Sequence, residues 1–226
     1  MQQLSLGVRL QDRATFASFV WPPDSAAATA LAAFADGSGL RTLLVHGPAG
    51  SGKSHLLQAC CAAQPVSAYL PLRLLGPAGP GVLEGADTLP LLAVDDLDAV
   101  VGDAGWEQAL FRLYNDCEAA GVRVIFASSL PPGALQWQLP DLRSRLQHLL
   151  ALPLAPLDDA LQIEALQRHA EQRGLTLPVE AAQYLQRRLP RDMASLVAAL
   201  DRLDAASLRE QRRLTVPFIR QACGLP

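Results

Sequence analysis

Gly47-Pro48-Ala49-Gly50-Ser51-Gly52-Lys53-Ser54 is the stretch that decides the predicted fold. It matches G-x-x-x-x-G-K-S, the pattern of a phosphate-binding loop, or P-loop. Residues 41–46 form a short apolar run before it, which is typical of a buried strand, and the residues after Ser54 have helical spacing. A strand, a glycine-rich loop and a helix in this order are the context that the motif requires.

The residue types of this loop suit phosphate. Glycines let backbone N–H groups close around phosphate oxygens, and the N-terminus of the following helix adds partial positive charge. Lys53 supplies a compact charge for the β- and γ-phosphates, and the Ser54 hydroxyl can ligate Mg²⁺. Lys53 is also the only lysine among the 19 basic residues. We therefore predict that ADP or ATP binds, with Mg²⁺, at Gly47, Pro48, Ala49, Gly50, Ser51, Gly52, Lys53, Ser54 and His55.

The composition limits the class of protein. Half of the 226 residues are hydrophobic, which is enough for a sizeable core in one α/β domain with an appendage or in two small domains. The net charge of −3 argues against a dedicated nucleic-acid binder, so we expect no sequence-specific contact with DNA. No apolar run is long enough for a membrane span, and the N-terminus lacks signal-peptide features. The four cysteines form no C-x-x-C pair, which is typical of buried thiols in a reducing compartment, and we predict a cytoplasmic protein.

The segment before the P-loop has two parts. Residues 1–14 are polar and lack strong periodicity, so we predict a mobile tail. An apolar cluster with Phe19 and Trp21 follows. Core packing is the favoured role of these two side chains, and contact with adenine is the alternative. A helix is predicted from about residue 25 to 34, with Asp24 as its N-cap.

Four further apolar runs predict strands after the P-loop, and helical segments separate them. Strands that alternate with helices predict a parallel, doubly wound sheet flanked by helices, the α/β class of P-loop NTPases. One helix extends from Trp106 to Ala120 and ends at Gly121. A connection rich in proline and glycine spans residues 76–85. The predicted strands lie within residues 67–72, 89–96, 123–129 and 149–154.

The character of the sequence changes after Pro156, where strand-like runs end. Amphipathic segments instead predict a small all-helical domain. Its four helices are predicted at residues 158–173, 178–190, 192–211 and from 215 onward. The predicted parts of the chain are a tail over 1–14, an α/β nucleotide-binding domain over 15–156 and a helical domain over 157–226.

Asp95 and Asp96 end a predicted buried strand that follows the P-loop. In a parallel sheet, ligands gather at the carboxyl ends of the strands. We expect the Asp95 carboxylate to hold Mg²⁺ through water, as the second metal-binding residue beside Ser54. Asp96 is expected to orient the attacking water. Asp98 is interpreted as a loop residue.

Two other pairs of polar residues have open interpretations. Ser128 and Ser129 end the next strand, where a hydroxyl could contact the γ-phosphate or could be an ordinary strand-end group. Arg143 and Arg145 are two residues apart, so only one can face a given partner if their segment is helical. An outward guanidinium here could act on a neighbour's nucleotide as an arginine finger, although a surface arginine is favoured on spacing alone.

Several motifs together resemble AAA+ modules, and within them the DnaA-related proteins that include the short Hda-like regulatory inactivators of DnaA. The P-loop, the Asp-Asp strand and the helical C-terminal domain carry the general resemblance, which covers nearly the whole chain. The DnaA-type initiator would continue into a DNA-binding domain, whereas this sequence ends after the helical region. The more specific resemblance rests on Gln3-Leu4-Ser5-Leu6, Thr15-Phe16-Ala17-Ser18-Phe19, Leu113-Tyr114-Asn115, Leu139-Pro140-Asp141-Leu142-Arg143-Ser144-Arg145-Leu146 and Leu214-Thr215-Val216-Pro217-Phe218.

The resemblance implies a fold and a function. It implies an AAA+ module with a helical lid, in a protein that docks on the DNA-loaded sliding clamp, the beta subunit of DNA polymerase III. There it would promote hydrolysis of DnaA-bound ATP and prevent re-initiation of replication. Gln3, Leu4 and Leu6 match the clamp-docking motif, and a tail with apolar anchors suits a groove. Residues 7–8 depart from the bulkier ending expected of that motif. Arg145 matches the arginine finger that acts in trans on DnaA.

Two departures from the family pattern predict weak ATP turnover by this chain itself. Ser129 stands where the pattern has an acidic residue, and Ala194 stands where a lid arginine normally reaches the phosphates. Arg191 is the nearest substitute for that arginine. The P-loop preserves nucleotide binding. The alternatives to a regulator are a free-standing ATPase, such as a helicase-loader or clamp-loader-like subunit, and a small-molecule kinase, for which no acceptor pocket is evident. Self-association is left open.

Overall fold

The computed structural model describes residues 14–22, 25–190, 192–210 and 213–225. Contacts within the chain divide it into two compact units. In the described part, one unit holds residues 14–16, 25–48 and 53–155, and the other holds residues 17–22, 49–52, 156–190, 192–210 and 213–225. The tip of the P-loop and the Phe19 segment thus group with the helical part of the chain. The three predicted domain ranges stay a prediction.

The first unit is built on one sheet of five strands. Across the sheet the strands lie in the spatial order β2-β3-β4-β1-β5, and every neighbouring pair is parallel. This confirms the predicted α/β class with a parallel sheet. The strands are β1 (Thr42–His46), β2 (Ala68–Pro71), β3 (Leu91–Asp95), β4 (Arg123–Ser128) and β5 (Leu150–Pro153).

Burial explains why these segments are strands. All five residues of β3 are buried, as are the last five of β4, which is typical of parallel strands covered on both faces. Pro90 lies just before β3, where its missing N–H costs no ladder bond, and its carbonyl oxygen accepts from the Arg123 amide. The largest buried side chains of this unit include Phe34, Leu44, Leu92 and Phe126.

Five helices belong to the first unit. Asp103 caps the longest of them by accepting hydrogen bonds from the amides of Gly105 and Trp106, and Gly121 ends it in the left-handed conformation. Short 3-10 turns at 76–78, 80–83 and 86–88 form most of the proline- and glycine-rich connection. The N-cap residue of the first helix, Ala26–Asp36, is Ser25, so the prediction of Asp24 as the cap is wrong, and Asp24 itself lies outside the described residues. The helices are α1 (Ala26–Asp36), α2 (Lys53–Ala62), α3 (Leu72–Leu75), α4 (Ala104–Ala120) and α5 (Pro140–Gln147).

The second unit is helical, as predicted from the loss of strand-like runs. Asp158 and Thr215 cap two of its helices through their side chains. Its core contains Leu166, Leu185 and Phe218, all fully buried. The helices of this unit are α6 (Asp159–Glu171), α7 (Val179–Arg188), α8 (Met193–Glu210) and α9 (Val216–Cys223).

All four cysteines are free thiols, as expected. Burial raises the pKa of Cys60 and of Cys117 to about 12 and that of Cys61 to about 11, so these thiols stay protonated at neutral pH. Cys223 is half-buried. In the described part of the chain, we find no helix with the length and apolar character needed to cross a membrane.

Candidate nucleotide site

The P-loop joins the end of β1 to the start of α2. The Gly47 amide donates to the Ser128 carbonyl oxygen at 3.2 Å, which ties the start of the loop to β4. Gly50 and Gly52 have φ values of 80° and 89°, a left-handed conformation that other residues adopt at a cost. The conformation of the loop therefore explains two of the glycines in the motif.

Phe19 packs against the tip of this loop. A Cβ atom added to Gly52 would lie 2.5 Å from Phe19 Cε2, so the ring fits only against glycine. Phe19 also packs on Trp21, with the ring centroids 4.5 Å apart and the planes inclined by 55°. Arg168 Nη1 donates to the Phe19 carbonyl oxygen at 3.2 Å. Packing is thus the role that the contacts give Phe19, and the P-loop itself is one of its partners.

Lys53 reaches back along the loop. Its Nζ donates to the carbonyl oxygens of Gly47 at 2.7 Å and Pro48 at 2.9 Å. Burial lowers the pKa of Lys53, and the charge of Asp95 acts in the opposite direction. The ammonium thus lies against the carbonyl oxygens of the loop. The negative charge of Asp95, at the end of β3, favours the protonated form of Lys53.

Ser51 carries a buried polar atom that the fold leaves unpaired. Its Oγ has no hydrogen-bond partner among the described residues, and the residue is 5% exposed. An unpaired buried hydroxyl is costly unless a ligand or water satisfies it. Gly50 and Gly52 beside it have the left-handed backbone that occurs in anion-binding loops, so this hydroxyl suits an oxygen-rich anion such as phosphate.

Asp95 is a buried carboxylate with two fixed hydrogen bonds. It is 1% exposed. Its Oδ2 accepts from the Tyr69 hydroxyl at 2.7 Å, and its Oδ1 accepts from the Asp96 amide at 2.8 Å. Tyr69 was not singled out in the sequence. Its strand position alone gives no sign that its hydroxyl meets a carboxylate of the neighbouring strand.

Asp96 has an unusual backbone and a cationic partner. Its φ of 57° makes it the only non-glycine residue with positive φ in the described part of the chain. Burial, then the charge of Asp95, raises the pKa of the Asp96 carboxyl, and Arg73 acts against them. Arg73 Nε lies 3.5 Å from Asp96 Oδ1. The carboxylate predicted to orient water is therefore paired with an arginine that the sequence did not indicate.

Asp98 does more than its interpretation as a loop residue suggested. Its carboxylate accepts from the Ser129 amide at 2.8 Å and from the Ser129 hydroxyl at 3.1 Å. It also accepts from Arg73 Nη2 at 3.3 Å. Ser128, by contrast, is fully buried and donates its hydroxyl to the Leu130 carbonyl oxygen at 2.6 Å. Ser128 was predicted to contact the γ-phosphate or to be an ordinary strand-end hydroxyl, and this contact favours the second role.

His55 uses its side chain to hold the start of the described chain. Its Nε2 donates to the Thr15 carbonyl oxygen at 2.9 Å. Burial lowers the pKa of His55, so the imidazole is neutral at physiological pH. The contact gives this predicted cofactor-binding residue a second, structural role.

Arg145 lies on α5 and contacts α4. The buried side chains of Leu142 and Leu146 fix the helix to the core. Arg145 Nη1 lies 3.5 Å from Glu118 Oε2, and its guanidinium carbon lies 5.7 Å from the Tyr114 ring centroid. Since α5 is helical, Arg143 projects in another direction, and its side chain is exposed.

Glu107 fixes the start of α5 and was also missed in the sequence. The residue is 1% exposed. Its Oε1 accepts from the Gly102 amide at 2.8 Å, and its Oε2 accepts from the Leu139 amide at 2.6 Å. Leu139 is the N-cap residue of α5, whose own side chain cannot cap. One sign of this role is present in the sequence, since Glu107 lies beside Trp106 on the otherwise apolar face of α4.

Comparison with known proteins found one matching family model and several solved structures of similar fold. The family model described as "Hda, lid domain" matches residues 158–223. Domain III of the replication initiation protein DnaA from Thermotoga maritima superposes with a TM-score of 0.77 at 21% identity, covering 95% of this chain and 97% of that one. The chain therefore has the AAA+ fold, and its helical part is similar to the Hda lid domain. Its helical unit is hereafter called the lid.

Two further structures share the AAA+ fold at low identity. The replication initiator DnaA bound to AMPPCP and single-stranded DNA has a TM-score of 0.68 at 19% identity, with 90% of this chain and 69% of that one covered. The RuvB Holliday junction branch migration motor from Thermotoga maritima has a TM-score of 0.60 at 18% identity, with 87% and 65% covered. The same fold therefore occurs in an initiator and in a motor.

The lid has no arginine at the start of the described part of α8. Ala194 is exposed there. Asp192 precedes it and accepts from the Ser195 amide and hydroxyl, both at 2.8 Å, and these bonds lower the pKa of the Asp192 carboxyl. The alternative Arg191 lies outside the described residues, as do Gln3, Leu4 and Leu6 of the predicted clamp-docking motif.

Proposed function

We propose that this chain is a regulatory AAA+ protein that binds an adenine nucleotide, docks on the DNA-loaded sliding clamp and promotes hydrolysis of DnaA-bound ATP. Loss of the triphosphate would inactivate the initiator and prevent re-initiation. The observation that carries the proposal is the combination of three features in one chain. The chain joins a lid that matches the Hda lid domain to an α/β unit with a P-loop and an exposed Arg145.

Adenine nucleotide is the ligand that the P-loop supports best. The loop offers Lys53, the left-handed Gly50 and Gly52, and the unpaired buried hydroxyl of Ser51. Each of these suits phosphate oxygens. A DnaA structure of the same fold is bound to AMPPCP, an adenine nucleotide analogue.

Magnesium would be held through Ser54 and Asp95. No cluster of three or more metal-binding side chains occurs in the described ranges, so the chain offers the ion few ligands of its own. This agrees with Mg²⁺ chemistry, since the ion is commonly bound through one or two protein groups together with substrate phosphates and water. Bound there, the ion would neutralise charge on the phosphates.

The chain's own ATP turnover is expected to be weak. Asp96, the candidate for orienting water, is paired with Arg73 at 3.5 Å. The Ser129 hydroxyl donates to Asp98. Ala194 cannot reach phosphate in the way an arginine could. A regulator that acts on a partner's nucleotide needs its own site only for binding.

Arg145 is the group proposed to act on DnaA. An arginine supplied in trans can stabilise the charge that develops on the transferring phosphoryl group, and in GTPase systems it contributes on the order of 10³–10⁵ in rate. The Arg145 side chain is 47% exposed, and its ion pair in the described part of the chain uses Nη1 alone. Among the described residues, its other N–H groups have no ion-pair partner, so they suit a partner's phosphate.

Clamp docking is assigned to the N-terminal residues Gln3, Leu4 and Leu6. Apolar side chains with one amide can enter a groove on a partner and add a directional hydrogen bond. A clamp loaded on DNA would concentrate the regulator where replication has started. The proposed protein therefore works in the cytoplasm, beside the chromosome.

Reconstitution tests the proposal. Purified chain is mixed with DnaA loaded with labelled ATP, with clamp and with clamp-loaded DNA, and release of labelled ADP from DnaA is followed. We expect stimulation that requires both the clamp and the DNA. A chain that lacks residues 1–8 should lose stimulation while its nucleotide affinity and melting temperature stay unchanged.

The same experiment separates the alternative of a free-standing ATPase. Rapid hydrolysis of free ATP by this chain, with no effect on DnaA-bound ATP, would contradict the proposed regulator and favour the alternative. A lower melting temperature of the chain that lacks residues 1–8 would instead assign Leu4 and Leu6 to the core.

A further inference from the structure

Tyr69 links the two side chains proposed to hold Mg²⁺. It is the second residue of β2, and it pairs with Ala93 of β3. Asp95 lies two residues further along β3, so its side chain projects from the same face of the sheet as that of Tyr69. The Tyr69 hydroxyl reaches along the strands to Asp95 Oδ2 at 2.7 Å.

Helix α2 supplies two neighbours of this hydroxyl. The side chains of Ser54 and Gln58, four residues apart on one face of α2, act to lower the pKa of Tyr69 against the larger effect of burial. Gln58 is 7% exposed. The hydroxyl thus lies between Ser54 of the P-loop helix and Asp95 of β3.

The direction of each hydrogen bond follows from the groups involved. An ionised carboxylate can only accept, so the Tyr69 hydroxyl donates its single proton to Asp95. The two lone pairs of Tyr69 Oη are left to accept from donors on α2, such as the Gln58 amide and the Ser54 hydroxyl.

These directions prepare both groups for a cation. A serine hydroxyl that ligates a metal does so with a lone pair, and its proton must point elsewhere. Tyr69 Oη can accept that proton from Ser54, and the carboxylate of Asp95 is held in one orientation by Tyr69 and by the Asp96 amide. Partners behind the metal ligands commonly orient them in this way.

We infer that Tyr69 is a positioning residue for Mg²⁺, which couples the ion to nucleotide binding by orienting Ser54 and Asp95 together. The inference rests on the proposed nucleotide site. It predicts that the phenol hydroxyl matters for the Mg²⁺-dependent part of nucleotide affinity. The hydroxyl should not matter for the part that the P-loop supplies without the ion.

Tyr69→Phe tests the inference because it removes one oxygen and keeps the ring. Binding of fluorescent ADP is measured in EDTA and over a range of Mg²⁺ concentrations for the wild type, for Tyr69→Phe and for Tyr184→Phe. Tyr184 lies on α7 and provides a matched loss of one hydroxyl. We expect Tyr69→Phe to need about tenfold more Mg²⁺ than the wild type to reach half of the ion's effect on ADP affinity. Loss of such a partner typically costs 10–100-fold in metal affinity. Its affinity in EDTA and the behaviour of Tyr184→Phe should match the wild type.

Several results would overturn the inference. An unchanged Mg²⁺ requirement in Tyr69→Phe would show that the hydroxyl does not position the ligands. A weaker affinity of equal size in EDTA and in Mg²⁺ would assign Tyr69 to packing of the P-loop helix. Wild-type protein that binds no nucleotide would instead contradict the proposed nucleotide site, and so the two failures are distinguishable.

A second measurement avoids the risk that Tyr69→Phe folds poorly. The chain has three tyrosines, so ring-labelled tyrosine gives three NMR signals that Tyr114→Phe and Tyr184→Phe assign by elimination. Adding Mg²⁺ to the ADP complex should shift the signal of Tyr69 and leave the other two in place. If the Tyr69 signal does not shift when Mg²⁺ is added to the wild-type protein, the inference is contradicted.

Discussion

Lys53 is the only lysine of the chain, and its ammonium lies 2.7 Å from the Gly47 carbonyl oxygen. Arginine serves wherever else a basic side chain occurs, although its planar fork could not replace this compact charge at the phosphates. The single lysine of the chain therefore stands at the centre of the proposed nucleotide site.

Lys53→Ala should abolish nucleotide binding and leave the fold intact, because the charge for the phosphates is lost while the loop keeps its glycines. Titration with labelled ADP measures the affinity, and circular dichroism checks the fold. Arg112→Ala, which removes an exposed charge from α4, is the control and should bind normally. Unchanged affinity in Lys53→Ala would mean that the loop is structural.

His55 predicts a pH dependence of stability. Because its pKa in the folded protein lies below the ordinary value of 6.5, the unfolded state binds more protons just below that pH. The free energy of unfolding should therefore fall as the pH drops from 7 to 5.5, with this residue contributing at most about 1.4 kcal/mol per pH unit.

His55→Gln should flatten this dependence. Glutamine can still donate to the Thr15 carbonyl oxygen but does not titrate in this range. Urea unfolding at pH 7 and 5.5 gives the two free energies for each protein. If the free energy of unfolding falls equally in the wild type and in His55→Gln, the pH dependence belongs to other groups. His46 is one such group, since burial also lowers its pKa.

At the scale of the elements, α4 holds α5 by two contacts of different strength. The Glu107 carboxylate is buried and accepts two backbone N–H groups, whereas the Glu118 carboxylate is 56% exposed and pairs with Arg145. Exposed ion pairs contribute little to stability, while unpaired buried N–H groups are costly. The two glutamates of one helix therefore give a matched comparison.

Glu107→Ala should lower the free energy of unfolding by about 3 kcal/mol, because the amides of Gly102 and Leu139 would lose their partner. Glu118→Ala should change it by less than about 1 kcal/mol. Urea unfolding of both variants is the measurement. A similar small effect of the two substitutions would show that Glu107 does not fix the start of α5.

Local patterns were enough to predict the strands, the long helices and the P-loop. Apolar runs and helical spacing are local signals, and the glycine pattern of the P-loop is local as well. The 3-10 turns between residues 76 and 88 were not predicted, because such short elements carry no periodicity.

The missed residues of the candidate site have roles that depend on distant contacts. Tyr69 meets a carboxylate 26 residues away, Asp98 meets Ser129 over 31 residues, and Glu107 meets Leu139 over 32 residues. No local pattern reports such pairs. Arg73, which contacts Asp96 and Asp98, follows β2 as an exposed basic residue and carried no signal of its own.

For the whole molecule, we propose that binding and chemistry concern different nucleotides. The chain's own P-loop would hold a nucleotide that it hydrolyses slowly, whereas the exposed Arg145 would act on ATP held by DnaA. Each function can then be lost without the other.

The most direct test is hydrolysis of labelled ATP on DnaA, measured with clamp-loaded DNA and with wild-type, Arg145→Ala or Arg143→Ala protein. Arg143 is the matched control, an exposed arginine on the same helix that projects elsewhere. The account predicts that Arg145→Ala binds ADP and the clamp normally yet loses stimulation, while Arg143→Ala keeps most of it. Full stimulation by Arg145→Ala, or equal loss in both variants, would contradict the assignment of Arg145 as the group that acts in trans.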